Sequence, residues 1–195
     1  MNSVNIIIMS VACLLVPRPT VHRVQAGQFL GSGVSVATAN GQTLVLSANH
    51  VIKDGGPYTV AGRPATVIAT DKTWDLAALV VQDVLPVSQL GNREPQIGDQ
   101  LTVCGYGGGY AEATGKVVGF FAPATPDWVA ISASARSGDS GGPFFYVDGT
   151  IAAILFGSDN TGAHGTHCIR IRSFLKSIKN YDELLKALDN PYNIW

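Results

Sequence analysis

The chain is short of charge, of cysteine and of long apolar runs. Aspartate, glutamate, lysine and arginine make up 14 % of its 195 residues, and 13 basic against 14 acidic side chains leave a formal net charge of −1. No run of lysine or arginine appears, so the composition gives nucleic acid no surface to bind. Cys13, Cys104 and Cys168 are an odd number of cysteines at no framework spacing, which excludes a disulfide scaffold. Cys104 and Cys168 lie in apolar runs and read as buried thiols, their pairing left open. The apolar stretch 4–16 is broken by Asn5 and Ser10 and is too short for a stable membrane span. It has the length of an export signal's apolar region, but no lysine or arginine precedes it. Residues 1–20 therefore read as a hydrophobic leader or N-terminal arm. Export is favoured, and a retained arm on a cytoplasmic protein is the alternative.

What the chain does have is glycine, at 22 residues, and a hydrophobic content of 46 %, the mark of a compact, turn-rich globular protein. Short apolar, β-branched runs recur at even spacing with turn signals between them, as in a barrel or sandwich. The expected strands are 21–25, 29–38, 42–47, 58–61, 64–70 and 76–82, then 100–106, 114–121, 128–133, 143–147, 150–156 and 167–172. Asn40-Gly41 and Asp148-Gly149 are hairpin signals. The stretch 86–99 reads as a linker. The expected fold class is all-β: two antiparallel six-stranded β-barrels, 21–85 and 100–172, with a helical tail over 173–195. In the tail Leu175, Ile178, Tyr181, Leu185 and Leu188 recur at helical spacing. Asn180 and Glu183 have capping-box spacing, which predicts two short helices with a break near 180.

Residues 136–143 read Arg-Ser-Gly-Asp-Ser-Gly-Gly-Pro. This places one hydroxyl, Ser140, in a tight glycine-rich turn between β-type segments. Backbone N–H groups in such a turn, here those of Gly138 and Ser140, suit the oxyanion that acyl transfer develops. A serine hydroxyl needs a histidine to take its proton and a carboxylate to orient that histidine. His50 closes the apolar run Leu-Val-Leu-Ser-Ala-Asn-His. Asp75 opens another, Asp-Leu-Ala-Ala-Leu. Asp71 competes with Asp75, but with Lys72 and Thr73 behind it Asp71 reads as a turn residue.

These motifs and their His–Asp–Ser order resemble the chymotrypsin/trypsin-like serine peptidases. Ser-Ala-Asn-His-Val resembles the family's Thr-Ala-Ala-His-Cys, and Asp-Leu-Ala-Ala-Leu resembles Asp-Ile-Ala-Leu-Leu. Gly-Asp-Ser-Gly-Gly-Pro matches without change. Gly31-Ser32-Gly33 resembles the glycine-rich segment ahead of the histidine. The resemblance covers roughly residues 21–175 and is strongest to the short, disulfide-poor trypsin-like peptidases of bacteria. It departs at Val51, where the family has cysteine. It implies a chymotrypsin-like fold, a cleft between the barrels, and His50, Asp75 and Ser140 as catalytic residues. It further implies Gly138 and Ser140 N–H groups as the oxyanion hole, and Asp139 as the brace of that turn. It implies a protein or peptide substrate and requires no metal and no cofactor. Nothing in the chain points to a particular oligomeric state.

The resemblance also places Ser134 at the floor of the primary pocket, with Ala135 beside it and Phe156 and Gly157 on one wall. Gly165, Thr166 and His167 align loosely with the opposite wall. An uncharged floor predicts weak cleavage after Lys or Arg. His164 or His167 reaching a Glu or Gln side chain is the alternative, and an inward-folded Asp159 is a second. His164, His167 and Cys168 form a string that hints at zinc, but strand side chains alternate faces and would not converge. Activation by cleavage after a basic residue, known in the family, is not expected at Arg23-Val24, which lies inside a strand. Two rival functions are a virus-type protease that processes its own polyprotein, and a catalytically silent binding module on the same fold.

Overall fold

The computed structural model describes residues 18–121 and 128–188. The expected leader falls outside them except for its last three residues. Strands β1 (Val21–Ala26), β2 (Phe29–Ala39), β3 (Gln42–Ala48), β4 (Tyr58–Val60), β5 (Arg63–Asp71) and β6 (Leu76–Val81) close into one barrel in the order β1-β2-β3-β6-β5-β4. Strands β7 (Gln100–Gly105), β8 (Ala111–Phe121), β9 (Trp128–Ile131), β10 (Pro143–Phe145), β11 (Ile151–Asp159) and β12 (Gly162–His167) close a second, in the order β10-β11-β12-β9-β8-β7. All ladders within the barrels are antiparallel, and closure leaves neither sheet an open edge. At the β2–β3 turn Asn40 and Gly41 both take positive φ, 52° and 73°, the twist that a two-residue hairpin needs.

Three apolar clusters among the described residues hold this arrangement. Val24, Val45, Leu79 and Val81 fill the first barrel, and Leu101, Val117, Ile131 and Phe144 fill the second. A third cluster lies between the barrels and includes Leu44, Leu76, Ile151, Ile154 and Phe174. Strand β6 explains why one run needs apolar residues at every position. Ala77, Leu79 and Val81 point into the barrel, while Leu76, Ala78 and Val80 face the seam. Both faces are covered, so alternation disappears from the sequence. Cys104 and Cys168 are free and buried, and burial pushes the Cys104 thiol up to about 12.

Two sequence expectations give way here. The strand expected at 167–172 is helix α2 (Cys168–Lys176), and the twelfth strand is 162–167 instead. His-Cys-Ile-Arg-Ile-Arg alternates with period two and imitates a strand, but its buried positions, Cys168, Ile171, Phe174 and Leu175, fall on one helical face. The true strand hides behind its glycines. Gly162 adopts φ 137°, and a Cβ on Gly165 would sit 2.8 Å from the Ile154 carbonyl oxygen. In the tail, α3 (Asp182–Ala187) has Tyr181 at its N-cap position and no side-chain cap. Asn180 serves the break itself, at φ 68°, and Glu183 bonds Lys186 at 2.9 Å instead of closing a capping box. Helix α2 packs on β11 and β12, but α3 crosses to β2 and β3, so the tail straps one barrel to the other.

One buried polar group makes the first barrel sensitive to acid. His22 on β1 is 6 % exposed, and its Nε2 donates to Ser35 Oγ at 2.9 Å, while Ser35 Oγ donates on to the Pro86 carbonyl. Burial first, and the Arg63 guanidinium second, push the imidazole down to about 4. In the unfolded chain it takes a proton near pH 6.5. The unfolded state therefore binds the extra proton between those values, and stability must fall as pH drops through that window. The stabilisation is fully present above about pH 6.5 and amounts to about 3 kcal/mol by the size of the shift. Urea unfolding from pH 7 to pH 4 is expected to show His22→Gln losing less stability than the parent, by about that amount. Equal losses in both proteins would contradict it.

Candidate active site

Strand β3 ends at Ala48, and the chain turns at once into α1 (Asn49–Ile52), a single helical turn that carries His50. Asp75 sits at the mouth of β6, beside the end of β3 to which β6 is paired. Its backbone is in the left-handed region, φ 52°, which is uncommon for a residue other than glycine. The conformation is held from three sides. Asn49 N donates to the Asp75 carbonyl at 3.0 Å, His50 N donates to Oδ1 at 2.8 Å, and His50 Nδ1 meets Oδ2 at 2.5 Å. The carboxylate thus grips both the backbone and the ring of His50. Asp71 is occupied elsewhere: Oδ1 accepts from Thr73 N and Trp74 N, and Oδ2 from the Arg170 guanidinium at 3.1 Å.

Ser140 arrives from the second barrel. Gly138 and Gly141, on either side, take φ of 87° and 85°, so the turn has a shape that side chains resist. Gly141 also has no room for a side chain. A Cβ there would lie 2.2 Å from Ser32 O, 2.3 Å from Ser47 Oγ and 2.8 Å from Ala48 N. The residue after Ser140 is therefore pressed against the strand end that leads to His50. Ser32 N closes the seam by donating to the Ser140 carbonyl at 2.7 Å. Ser140 Oγ makes no hydrogen bond among the described residues, and neither do the N–H groups of Gly138 and Ser140. Those two donors are thus left unspent beside the hydroxyl of the half-buried Ser140.

The pocket residues fall into two groups. Ser134 is exposed, and Ala135 is half-buried against the second barrel's core. Ser158 Oγ donates to Ala135 O at 3.1 Å and ties this segment to β11. Phe156 and Gly157 line a cavity of about 260 Å³ together with Ser158, Asp159 and His164. His167 is not part of it. It is buried, 2 % exposed, opposite Ala153 at the N-terminus of α2, because β12 runs from the cavity toward the helix. The zinc-like string also separates: His164 Nε2 lies 3.1 Å from Asp159, whereas Cys168 Sγ donates to Arg93 O. Asp159 lines the cavity with its carboxylate largely in solvent. It is 61 % exposed at the side chain and caps its own turn through Thr161 N and Oγ1. Those bonds, with His164 next, hold its carboxyl well below the usual range.

Sequence reasoning overlooked Ser32, Ser47 and Arg136. Ser32 and Ser47 are fully buried and donate respectively to Gly138 O, at 2.8 Å, and to Ser32 O, at 2.7 Å. A serine in a glycine-rich strand gives no warning of such a role. Arg136 did carry a signal, a cation three residues before Asp139.

Two closed antiparallel barrels, with a histidine–aspartate pair on one and a serine turn on the other, make this a chymotrypsin-like fold. The family model of the trypsin-like peptidase domain matches residues 31–154, and the chain belongs to that family. Serine protease Rv3671c of Mycobacterium tuberculosis is 33 % identical over 132 residues, 58 % of this chain and 33 % of that protein. A probable periplasmic serine endoprotease, DegP-like, of Bartonella henselae is 29 % identical over 149 residues, 68 % of this chain and 28 % of that protein. The chain thus spans about a third of the length of these curated relatives. Among solved structures, the serine endoprotease from Yersinia pestis superposes with a TM-score of 0.69 at 26 % identity, covering 86 % of this chain and 63 % of that one. The active form of Rv3671c protease gives 0.70 at 23 % identity, covering 83 % and 81 %.

Proposed function

We propose that the protein is a serine endopeptidase working through His50, Asp75 and Ser140. The observation that carries this reading is the double hold of Asp75 on His50. A carboxylate at Nδ1 fixes the proton there and leaves Nε2 as the base. His50 takes the Ser140 proton as Oγ attacks the peptide carbonyl. The oxyanion forms beside the Gly138 and Ser140 N–H groups, which bond no acceptor among the described residues. The tetrahedral intermediate collapses when His50 gives its proton to the leaving amine. Water, deprotonated by the same imidazole, then releases the acyl group and restores Ser140. No step calls for a metal or an organic cofactor. Export of the chain fits a relative whose name places it in the periplasm.

Hydrolysis of a casein-derived peptide mixture tests the assignment. Ser140→Ala is expected to lose about 10⁶ in turnover and Asp75→Asn about 10⁴, while Asp71→Asn stays near the parent. Retained activity in Ser140→Ala, or loss in Asp71→Asn with Asp75→Asn active, would contradict it. A correctly folded parent without activity would favour the binding module.

The pocket beside Ser140 is read as uncharged. Ser134 and Ala135 bring no counter-ion, and Ala133, Leu155 and Ala163 lie behind them in the core. A buried Lys or Arg side chain would lose solvation without return. Cleavage of a mixed peptide library is expected after apolar or medium-sized polar residues, unchanged by Asp159→Asn. Dominant cutting after Arg or Lys that Asp159→Asn removes would refute this reading. Dominant cutting after Glu or Gln that His164→Ala removes would refute it in favour of His164.

A further inference from the structure

We infer that Arg136 is a positioning residue that holds the oxyanion turn in working shape. The inference rests on the serine-peptidase reading above. Asp139, between Gly138 and Ser140, has its side chain 7 % exposed. A carboxylate that deep needs a countercharge and donors for both oxygens. Arg136 supplies most of them. Its backbone N and Nε donate to Oδ2 at 2.8 and 3.1 Å, and its terminal nitrogen donates to Oδ1 at 3.0 Å. Gly107 N completes Oδ1 at 2.7 Å.

The geometry links this pair to catalysis. Asp139 N also donates back to Arg136 O at 3.0 Å, so residues 136–139 form a closed ring. Inside that ring lie Ser137 and Gly138, and the direction of the Gly138 N–H follows from its shape. The ring is wedged from outside as well. A Cβ on Gly107 would lie 2.3 Å from Ser137 O and 2.9 Å from Asp139 Oδ1. The same guanidinium nitrogen of Arg136 donates to Gly109 O at 2.9 Å and ties in the β7–β8 loop. Without the guanidinium, Asp139 would hold a buried charge with too few donors and would turn toward water. Gly138 and Ser140, bonded to it on either side, would move with it.

This brace forms in the uncut chain, without cleavage after a basic residue. Arg23-Val24, the bond that sequence offers for such a cut, lies inside β1, with Arg23 opposite Ser32 and Val24 opposite Gly31. Cutting there would open the first barrel. The Arg136 side chain is itself 47 % exposed, so removing it empties no core. Its loss is therefore expected to show in the chemistry more than in the fold.

The test compares the full chain with Arg136→Ala, Arg136→Gln and Arg136→Lys on a chromogenic peptide amide. We expect kcat to fall about 100-fold in the Ala and Gln variants, the scale of losing one oxyanion donor, with KM within about threefold. Lys is expected to recover part of the loss, and millimolar methylguanidinium to restore kcat in the Ala variant. Should the Ala variant fail to fold, the uncharged, polar Gln variant carries the same comparison. An active parent whose Arg136→Gln variant keeps its kcat, or changes only KM, overturns this inference and leaves the peptidase reading standing. A parent with no Ser140-dependent hydrolysis overturns the peptidase reading, and this one with it.

Discussion

Ser32 joins the two barrels between the Ser140 turn and the His50 turn. Its N–H reaches the Ser140 carbonyl, its hydroxyl donates to Gly138 O, and the same hydroxyl accepts from Tyr106 N at 2.9 Å. Its own carbonyl is held by Ser47, just ahead of the His50 turn. One fully buried serine therefore sets the serine turn of the second barrel against the histidine turn of the first. Each bond contributes only about 1 kcal/mol net. Breaking one would strand a buried donor or acceptor, which costs more, and this is how a small residue fixes a geometry between two rigid bodies.

Apolar packing makes those bodies rigid. Leu44, Leu76, Ile151 and Ile154 meet across the seam, and the tail closes over it through Phe174 and Leu184. Helix α3 rests on the first barrel although the chain has just left the second. Trp74, directly before Asp75, stacks edge-on against Trp128 of the second barrel at 5.8 Å, and its carbonyl accepts from Thr166 Oγ1 at 2.7 Å. The acid is thus supported from the opposite barrel as well as from its own strand.

Much of this was legible in the sequence because local chemistry demanded particular residues. Asn40-Gly41 announces its hairpin, since a tight turn with two positive φ values admits few alternatives. The glycines around Ser140 announce the serine turn for the same reason. The turn residues that follow Asp71 mark it as a turn carboxylate, which it is, with Thr73 N and Trp74 N donating to it. Features that depend on distant partners were hidden. Period-two alternation made 167–172 look like a strand, because the helical face is defined only by what it packs against. Gly162 and Gly165 fall outside every expected strand, whereas they give way to neighbouring carbonyls within a sheet. His167 aligned with a pocket wall by position in sequence, but the strand that carries it leads away from the cleft.

The central claim is that the seam brings His50, Asp75 and the Ser140 turn into one acyl-transfer site. A crystal structure of the protein reacted with a peptide phosphonate tests it most directly. The account predicts a covalent bond from phosphorus to Ser140 Oγ, the phosphoryl oxygen within hydrogen-bond distance of Gly138 N and Ser140 N, and His50 Nε2 facing the adduct. An adduct on another side chain, or a phosphoryl oxygen turned to solvent with Gly138 N directed away, would contradict it.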